Sequence, residues 1–174
     1  MANTTFSGAV RSQNGFKAVT KNETTGAITE ITTYGGAPVV LDDGDVTLTN
    51  ATHSGRILVV PNGTQDNTYT LPAPVAGAYF VFVYGGGAAD ATDFLIDTGS
   101  DTNFFVGGVL HLDTDADAGA DEVVPVFSDG NSNSILQVNV PGMAQVHIIA
   151  LDGTNWQVWG NVASATAPAF SDQA

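Results

Sequence analysis

The sequence predicts an all-β protein: an antiparallel β-sandwich or jelly-roll-like body preceded by an extended N-terminal arm. Three observations lead there. Glycine and proline interrupt the 174 residues so often that no run free of both exceeds 11 residues, the longest being Ala88 to Thr98. Helices average about 11–12 residues and exclude proline from their interiors, so a helical bundle has no room. Apolar and polar residues alternate with period two in several short segments, the spacing that puts one face of a strand on a core. Turn-forming clusters separate those segments at the intervals expected of a sandwich or barrel: Asp42-Asp43-Gly44, Pro61-Asn62-Gly63, Gly85-Gly86-Gly87, Ser128 to Asn131 and Asp152 to Asn155. About nine to eleven short strands follow from this punctuation. No helical pattern alternates with them, so a doubly wound parallel sheet is not expected.

The elements follow in chain order. Residues 1–36 are rich in Thr, Ser, Asn and Gly, with scattered Phe6, Phe16, Val19, Ile28 and Ile31, and read as an extended arm. Fully extended at about 3.3 Å per residue, such an arm reaches on the order of 100 Å. The body runs over 37–170. Within it Asp45 to Thr49 alternates, as do Leu136, Val138 and Val140 against Gln137 and Asn139, and Trp156 and Val158 against Gln157. Ile57 to Val60 and Ala78 to Tyr84 are instead continuous apolar runs, which suit strands covered on both faces, and the second is the expected centre of the fold. His147 lies out of phase with Val146 and Ile148 and should point outward. Residues 171–174 close the chain as a loose tail, with Pro168 and small residues before them.

Composition restricts function. With 43% hydrophobic and only 13% charged residues the chain is expected to fold, despite a formal charge of −14. It has no cysteine, hence no disulfide, thiolate nucleophile or cysteine-ligated metal. Its four cations, Arg11, Lys17, Lys21 and Arg56, all lie in the first third, and Ile57 to Ala174 holds 13 carboxylates without one Lys or Arg. Nucleic acid and anionic membrane surfaces both require basic patches, so neither is an expected partner. Met1 to Thr20 has no signal-peptide core and no run approaches 18 apolar residues, which leads to the expectation of a protein made and kept in the cytosol unless it leaves within a larger particle.

Candidate chemistry is sparse. Asp113, Asp115 and Asp117 stand at positions 1, 3 and 5 of a calcium loop, with Asp121 and Glu122 behind them. Ala118 occupies the position that demands glycine, and Val124 the position that demands a bidentate glutamate. A solvated acidic loop is the expectation, and no metal is required. His53, His111 and His147 form no HxH or HxxxH pair. There is no Gly-x-Ser-x-Gly elbow. Gly85 to Gly87 follows a strand but lacks the helix and lysine of a phosphate cradle, leaving a loop or bulge with positive φ. Asp42 and Asp43 are neighbouring carboxylates of the kind glycosidases separate in space, in a chain where Asp neighbours arise by chance. Four Asn-x-Ser/Thr sequons, at Asn3, Asn22, Asn50 and Asn62, matter only in a glycosylating compartment. Tyr79, Phe80, Phe82, Tyr84, Trp156 and Trp159 fall on strand patterns and read as core or subunit-interface packing ahead of a sugar platform. No catalytic residue and no cofactor emerge.

Three stretches carry a resemblance. Met1 to Phe16 (MANTTFSGAVRSQNGF) resembles the start of small structural proteins of tailed phages, particularly those of marine bacteria and cyanobacteria. Leu48-Thr49, Gly55 to Pro61, Tyr69 to Pro74 and Gly77 to Phe80 resemble a β module of virion decoration and tail-associated proteins, and Asp152 to Gly160 its closing strand. The resemblance covers most of the chain and brings no catalytic residue. It implies a capsid decoration, or cement, protein on the outer surface of the head, assembled in the host cytoplasm and often homotrimeric, with an arm across adjacent major capsid protein subunits. On that reading Phe6, Arg11, Phe16, Lys17 and Lys21 are the capsid-binding residues. A tail fibre or spike is the alternative, although the chain lacks the heptads or repeats of a shaft. A carbohydrate-active enzyme or lectin comes third.

Overall fold

The computed structural model describes residues 16–34, 36–87, 91–115 and 123–173, and among them the protein is nearly all β. The chain opens with β1 (Phe16–Lys21) and β2 (Ile28–Tyr34), an antiparallel two-stranded sheet of its own. Its turn is built by Asn22, whose side-chain oxygen accepts from the backbone N–H of Thr24 and Thr25, and by Gly26 at φ +73°. This segment therefore doubles back on itself, where the sequence predicts an extended arm. Residues 1–15, with Phe6 and Arg11, lie outside the described residues. Ile31, the residue skipped in the register between the two strands, packs against the body's core.

From there the chain winds in a way that alternation cannot foretell. In order come β3 (Val39–Val40), β4 (Val46–Thr47), the single-turn α1 (Asn50–His53), β5 (Arg56–Val60), β6 (Asn67–Thr70), β7 (Tyr79–Tyr84) and β8 (Phe94–Asp97). The odd-numbered strands stack in parallel in one sheet and the even-numbered strands in parallel in the other, so each crossover is supplied by a strand of the opposite sheet. The rest is mainly hairpins: β9 (Phe104–Asp113) with β10 (Val123–Phe127), then β11 (Ile135–Val138), β12 (Pro141–Ala150) with β13 (Asn155–Ser164), and β14 (Ala169–Ser171). The completed sheets have the orders β10-β9-β13-β12-β7-β5-β3 and β14-β11-β8-β6-β4. Both are mixed, where the sequence predicts antiparallel sheets, and five parallel pairings depart from a jelly-roll.

The two sheets enclose one core. Phe80 meets Trp156 edge-on, Tyr69 lies between Phe82 and Phe94, and Phe105 packs on Phe170 of the last strand. Leu136 and Val138 point in and Gln137 out, and likewise Trp156 and Val158 against Gln157, as the alternation predicts. Val140 does not extend that pattern: it stands outside the strand at φ +36°. Residues 171–173 are held, where the sequence predicts a loose tail over 171–174. Ser171 pairs with Ile135, Ser134 N–H donates to the Ser171 carbonyl, and Gln173 donates to Ser134 Oγ and to Asp97.

Candidate functional site

Several of the chemical candidates among the described residues have a structural occupation. Asp43 accepts from Thr64 N–H, from Thr64 Oγ1 at 2.7 Å and from Asn67 Nδ2 at 3.1 Å, which holds its carboxyl below the usual range and ties it down as a loop clasp. His53 sits on α1, where Nδ1 accepts the Thr49 N–H at 2.9 Å, and burial keeps its pKa below the ordinary histidine value. His111 is buried and donates from Nε2 to the Ser164 carbonyl at 3.0 Å. Asp113 is half-buried and accepts the Asp115 N–H, and Asp115 is exposed; Asp117, Asp121 and Glu122 lie outside the described residues. Among the described residues no three metal-ligating side chains gather. Gly85 to Gly87 are not at positive φ: a side chain at Gly85 or Gly86 would strike Val59 or Tyr84, so the first two glycines serve close packing. Of the predicted arm residues, Phe16, Lys17 and Lys21 are exposed on β1, and Lys17 pairs with Glu30 at 2.9 Å.

The distinctive surface is the outer face of the seven-stranded sheet. Sequence alone predicts β5 and β7 to be covered on both faces, yet Ile57 is 46% exposed. Register explains what lies beside it. One transverse row reads Pro125, Leu110, Asn161, Gln145, Val83, Val59 and Val40, crossing all seven strands. A neighbouring row brings together Trp159, His147, Val81 and Ile57, with Phe127 opposite Gly108 further on. Neither row contains an Asp, Glu, Lys or Arg, in a chain with 18 acids. The five-stranded sheet differs: its outward positions include Thr47, Thr68, Thr70, Gln137 and Asp97.

Two features give this face shape. Trp159 stacks on His147 (ring centroids 5.2 Å apart, planes at 13°), and His147 meets the Tyr79 hydroxyl at 2.5 Å and the Gln145 amide at 3.0 Å. His147 thus points outward as predicted, while Val146 and Ile148 are buried. Beside this stack a groove of about 300 Å³ is lined by Gly108, Leu110, Pro125, Phe127, Trp159 and Asn161. A side chain at Gly108 would run into the Val126 carbonyl and the Phe127 ring, so only glycine leaves this slot between Phe127 and Trp159 open. Phe127 is 70% and Trp159 42% exposed. Pro125 removes a backbone donor from the edge strand β10, which disfavours strand addition there and leaves side-chain docking as the mode of contact. The aromatic set therefore divides: Phe80, Phe82, Tyr84 and Trp156 are core, whereas Tyr79 and Trp159 belong to the outer face. No protein-family model matches the chain, and no curated protein matches it either.

Proposed function

We propose that the protein is a structural component of a virus particle that decorates the capsid and clamps adjacent major capsid protein subunits, with no covalent chemistry. The observation that supports this reading is the uncharged, apolar outer face of the seven-stranded sheet. A chain of net charge −14 can press such a face against protein without burying an unpaired carboxylate, a cost that acids at the same positions would impose. The core of a protein–protein interface is likewise depleted of charge and enriched in aromatic side chains. The segment 1–36 is the attachment element in this proposal, through Phe6, Arg11, Phe16, Lys17 and Lys21. Cations near an acidic shell steer encounter and fix orientation, and exposed pairs weaken as salt rises. Several copies on one lattice add avidity.

The test is deletion of residues 1–36 and measurement of binding to undecorated heads, with cryo-electron microscopy of the intact virion. Loss of head binding and density over the shell are the expected results. Undiminished binding by the truncated protein refutes the attachment mechanism, and density at the tail tip establishes the fibre or spike reading instead.

A further inference from the structure

Four connections meet at one end of the sandwich: β3–β4, β5–β6, β7–β8 and β11–β12. Asn67, the first residue of β6, is their hub. It is 2% exposed, its amide Nδ2 donates to Asp43 Oδ1 at 3.1 Å, and its backbone N–H donates to the Asp93 carbonyl at 3.2 Å. An ionised carboxylate only accepts, so the other end of the Asn67 amide is fixed as the oxygen. That oxygen, Asn67 Oδ1, is buried and has no hydrogen-bond partner. A buried acceptor left unmet is costly, and a bound water or ion is the usual answer to it.

Space for a guest lies beside it. A cavity of about 10 Å³ is walled by Asn67 together with Gly63, Tyr84, Thr92, Asp93 and Pro141, which is room for one sphere of about 1.4 Å radius. The side-chain donors of this wall are committed elsewhere. Thr92 Oγ1 donates to the Gly63 carbonyl at 3.5 Å, Tyr84 Oη to Asn62 Oδ1 at 2.8 Å, and Asn67 Nδ2 to Asp43. What the side chains leave for a guest is lone pairs, on Asn67 Oδ1, Thr92 Oγ1 and Asp93. Asp93 is itself held, its Oδ1 accepting the Val140 N–H at 2.9 Å and its Oδ2 the Gln137 amide at 2.7 Å. A water brings lone pairs as well as hydrogens, and a wall of acceptors answers only the hydrogens. A cation is met by acceptors alone. Its charge is also matched: Asp93 lines the cavity, Asp43 binds Asn67, Asp66 accepts the Asp93 N–H at 2.8 Å, and residues 57–174 hold no Lys or Arg to neutralise them.

Charge and size select the ion. Among the described residues no three carboxylate or imidazole side chains gather, so the oxygens at the cavity are mostly neutral and suit one positive charge better than two. A dehydrated potassium ion is about as large as a water molecule and fills such a space, whereas sodium is too small to touch every wall. We propose that Asn67 Oδ1, Thr92 Oγ1 and Asp93 hold a potassium-sized monovalent cation that ties the four connections together. The site is separate from the outer face of the seven-stranded sheet and stands whether or not the protein decorates a capsid.

Thermal unfolding of the full chain tests it, at constant ionic strength in potassium, sodium or choline chloride. The three salts share their screening, so an excess in potassium reports binding to the native state. Tm should be highest in potassium and should rise by about 3–5 °C for each tenfold increase above the dissociation constant, with choline making up the total. Thr92→Val removes one oxygen at a half-buried position; its far-UV circular dichroism should match the parent's, and its potassium excess should fall by half or more. Equal Tm values in the three salts, a larger effect of sodium than of potassium, or a Thr92→Val chain with the full excess each overturns the proposal. Crystals grown in rubidium chloride give a readout independent of stability. Anomalous density beside Asn67 Oδ1 is expected, and an ordinary water there at saturating rubidium overturns the proposal as well.

Discussion

Two tryptophans on one strand separate the core from the outer face. Trp156 and Trp159 are the only two in the chain, three residues apart on β13 and therefore on opposite sides of the sheet. Trp156 is 0% exposed and packed edge-on against Phe80 at 5.8 Å, so Trp156→Ala empties the centre of the sandwich. Truncating a buried Trp costs about 3–5 kcal/mol. For a chain of this size each kcal/mol moves Tm by about 2–4 °C, which gives a drop of about 6–20 °C. Trp159→Ala removes a partly exposed ring whose main partner is the stacked His147, a contact of about 1 kcal/mol and about 2–4 °C. Differential scanning calorimetry of dilute protein measures both. Fluorescence separates them independently: the Trp156→Ala protein should emit at long wavelength from Trp159, and the Trp159→Ala protein at short wavelength from the buried ring. Equal losses of Tm, or blue emission persisting without Trp156, would refute this division of the strand.

Relief of the φ +36° backbone at Val140 by Val140→Gly removes strain of about 1–3 kcal/mol against about 0.5–1 kcal/mol of added chain entropy, so Tm should rise by a few degrees; a fall refutes the strained geometry. Asp43, Asp129 and Asp152 all have pKa values below the ordinary 3.8 because hydrogen bonds favour the carboxylate, led by Thr64, Ser132 and Asn155 respectively. Their stabilisation is complete above the unfolded value and is lost as pH falls through the lowered folded values, so Tm should hold down to about pH 5 and decline below about 4, less steeply for Asp129→Asn. Chelator should leave Tm unchanged, and a calcium-induced rise of many degrees would require a site on the native state, with Asp113, Asp115, Asp117 and Asp121 as its first suspects. Added sodium chloride should raise Tm, since screening relieves the self-repulsion of a −14 chain that has one ion pair among its described residues to lose.

Alternation made the inward residues of β11 and β13 legible, because one residue of slip would have turned Leu136 or Trp156 into water. It carries no sign of strand direction, since a strand reads the same in a parallel and an antiparallel pair. That is why the stacking of β3, β5 and β7 escaped it. The β1–β2 hairpin left a faint trace, Asn22 and Gly26 between two Thr-rich runs, diluted by the absence of a buried face. The pairing of β14 escaped because three residues hold no periodicity. On the outer face, the unbroken apolar runs of β5 and β7 predicted a second covered side, and the described chain leaves that side open, with Ile57 exposed. The groove did not show, because Phe127 and Trp159 come to line it only through the pairing of β10 with β9 and of β9 with β13, which the register reveals.

The placement of acids explains how so lopsided a chain folds and why one face stays neutral. Asp97, Asp113, Asp129 and Asp152 each accept backbone N–H groups two to four residues ahead in their own turns. Asp45, Asp66 and Asp93 reach across to Thr68, Asp93 and Val140 in neighbouring connections. In these loops carboxylates take the donors that a turn leaves unpaired, so the fold uses negative charge against peptide dipoles and needs no lysine or arginine as counterpart. Acids used in this way belong at the ends of strands, where turns are. Mid-strand positions on the seven-stranded sheet have their N–H groups consumed by the ladders and offer a carboxylate nothing but its own solvation. An acid placed there would gain no backbone donor, and none stands in either transverse row, so the middle of this face is uncharged while most acids gather in the loops and at the strand ends.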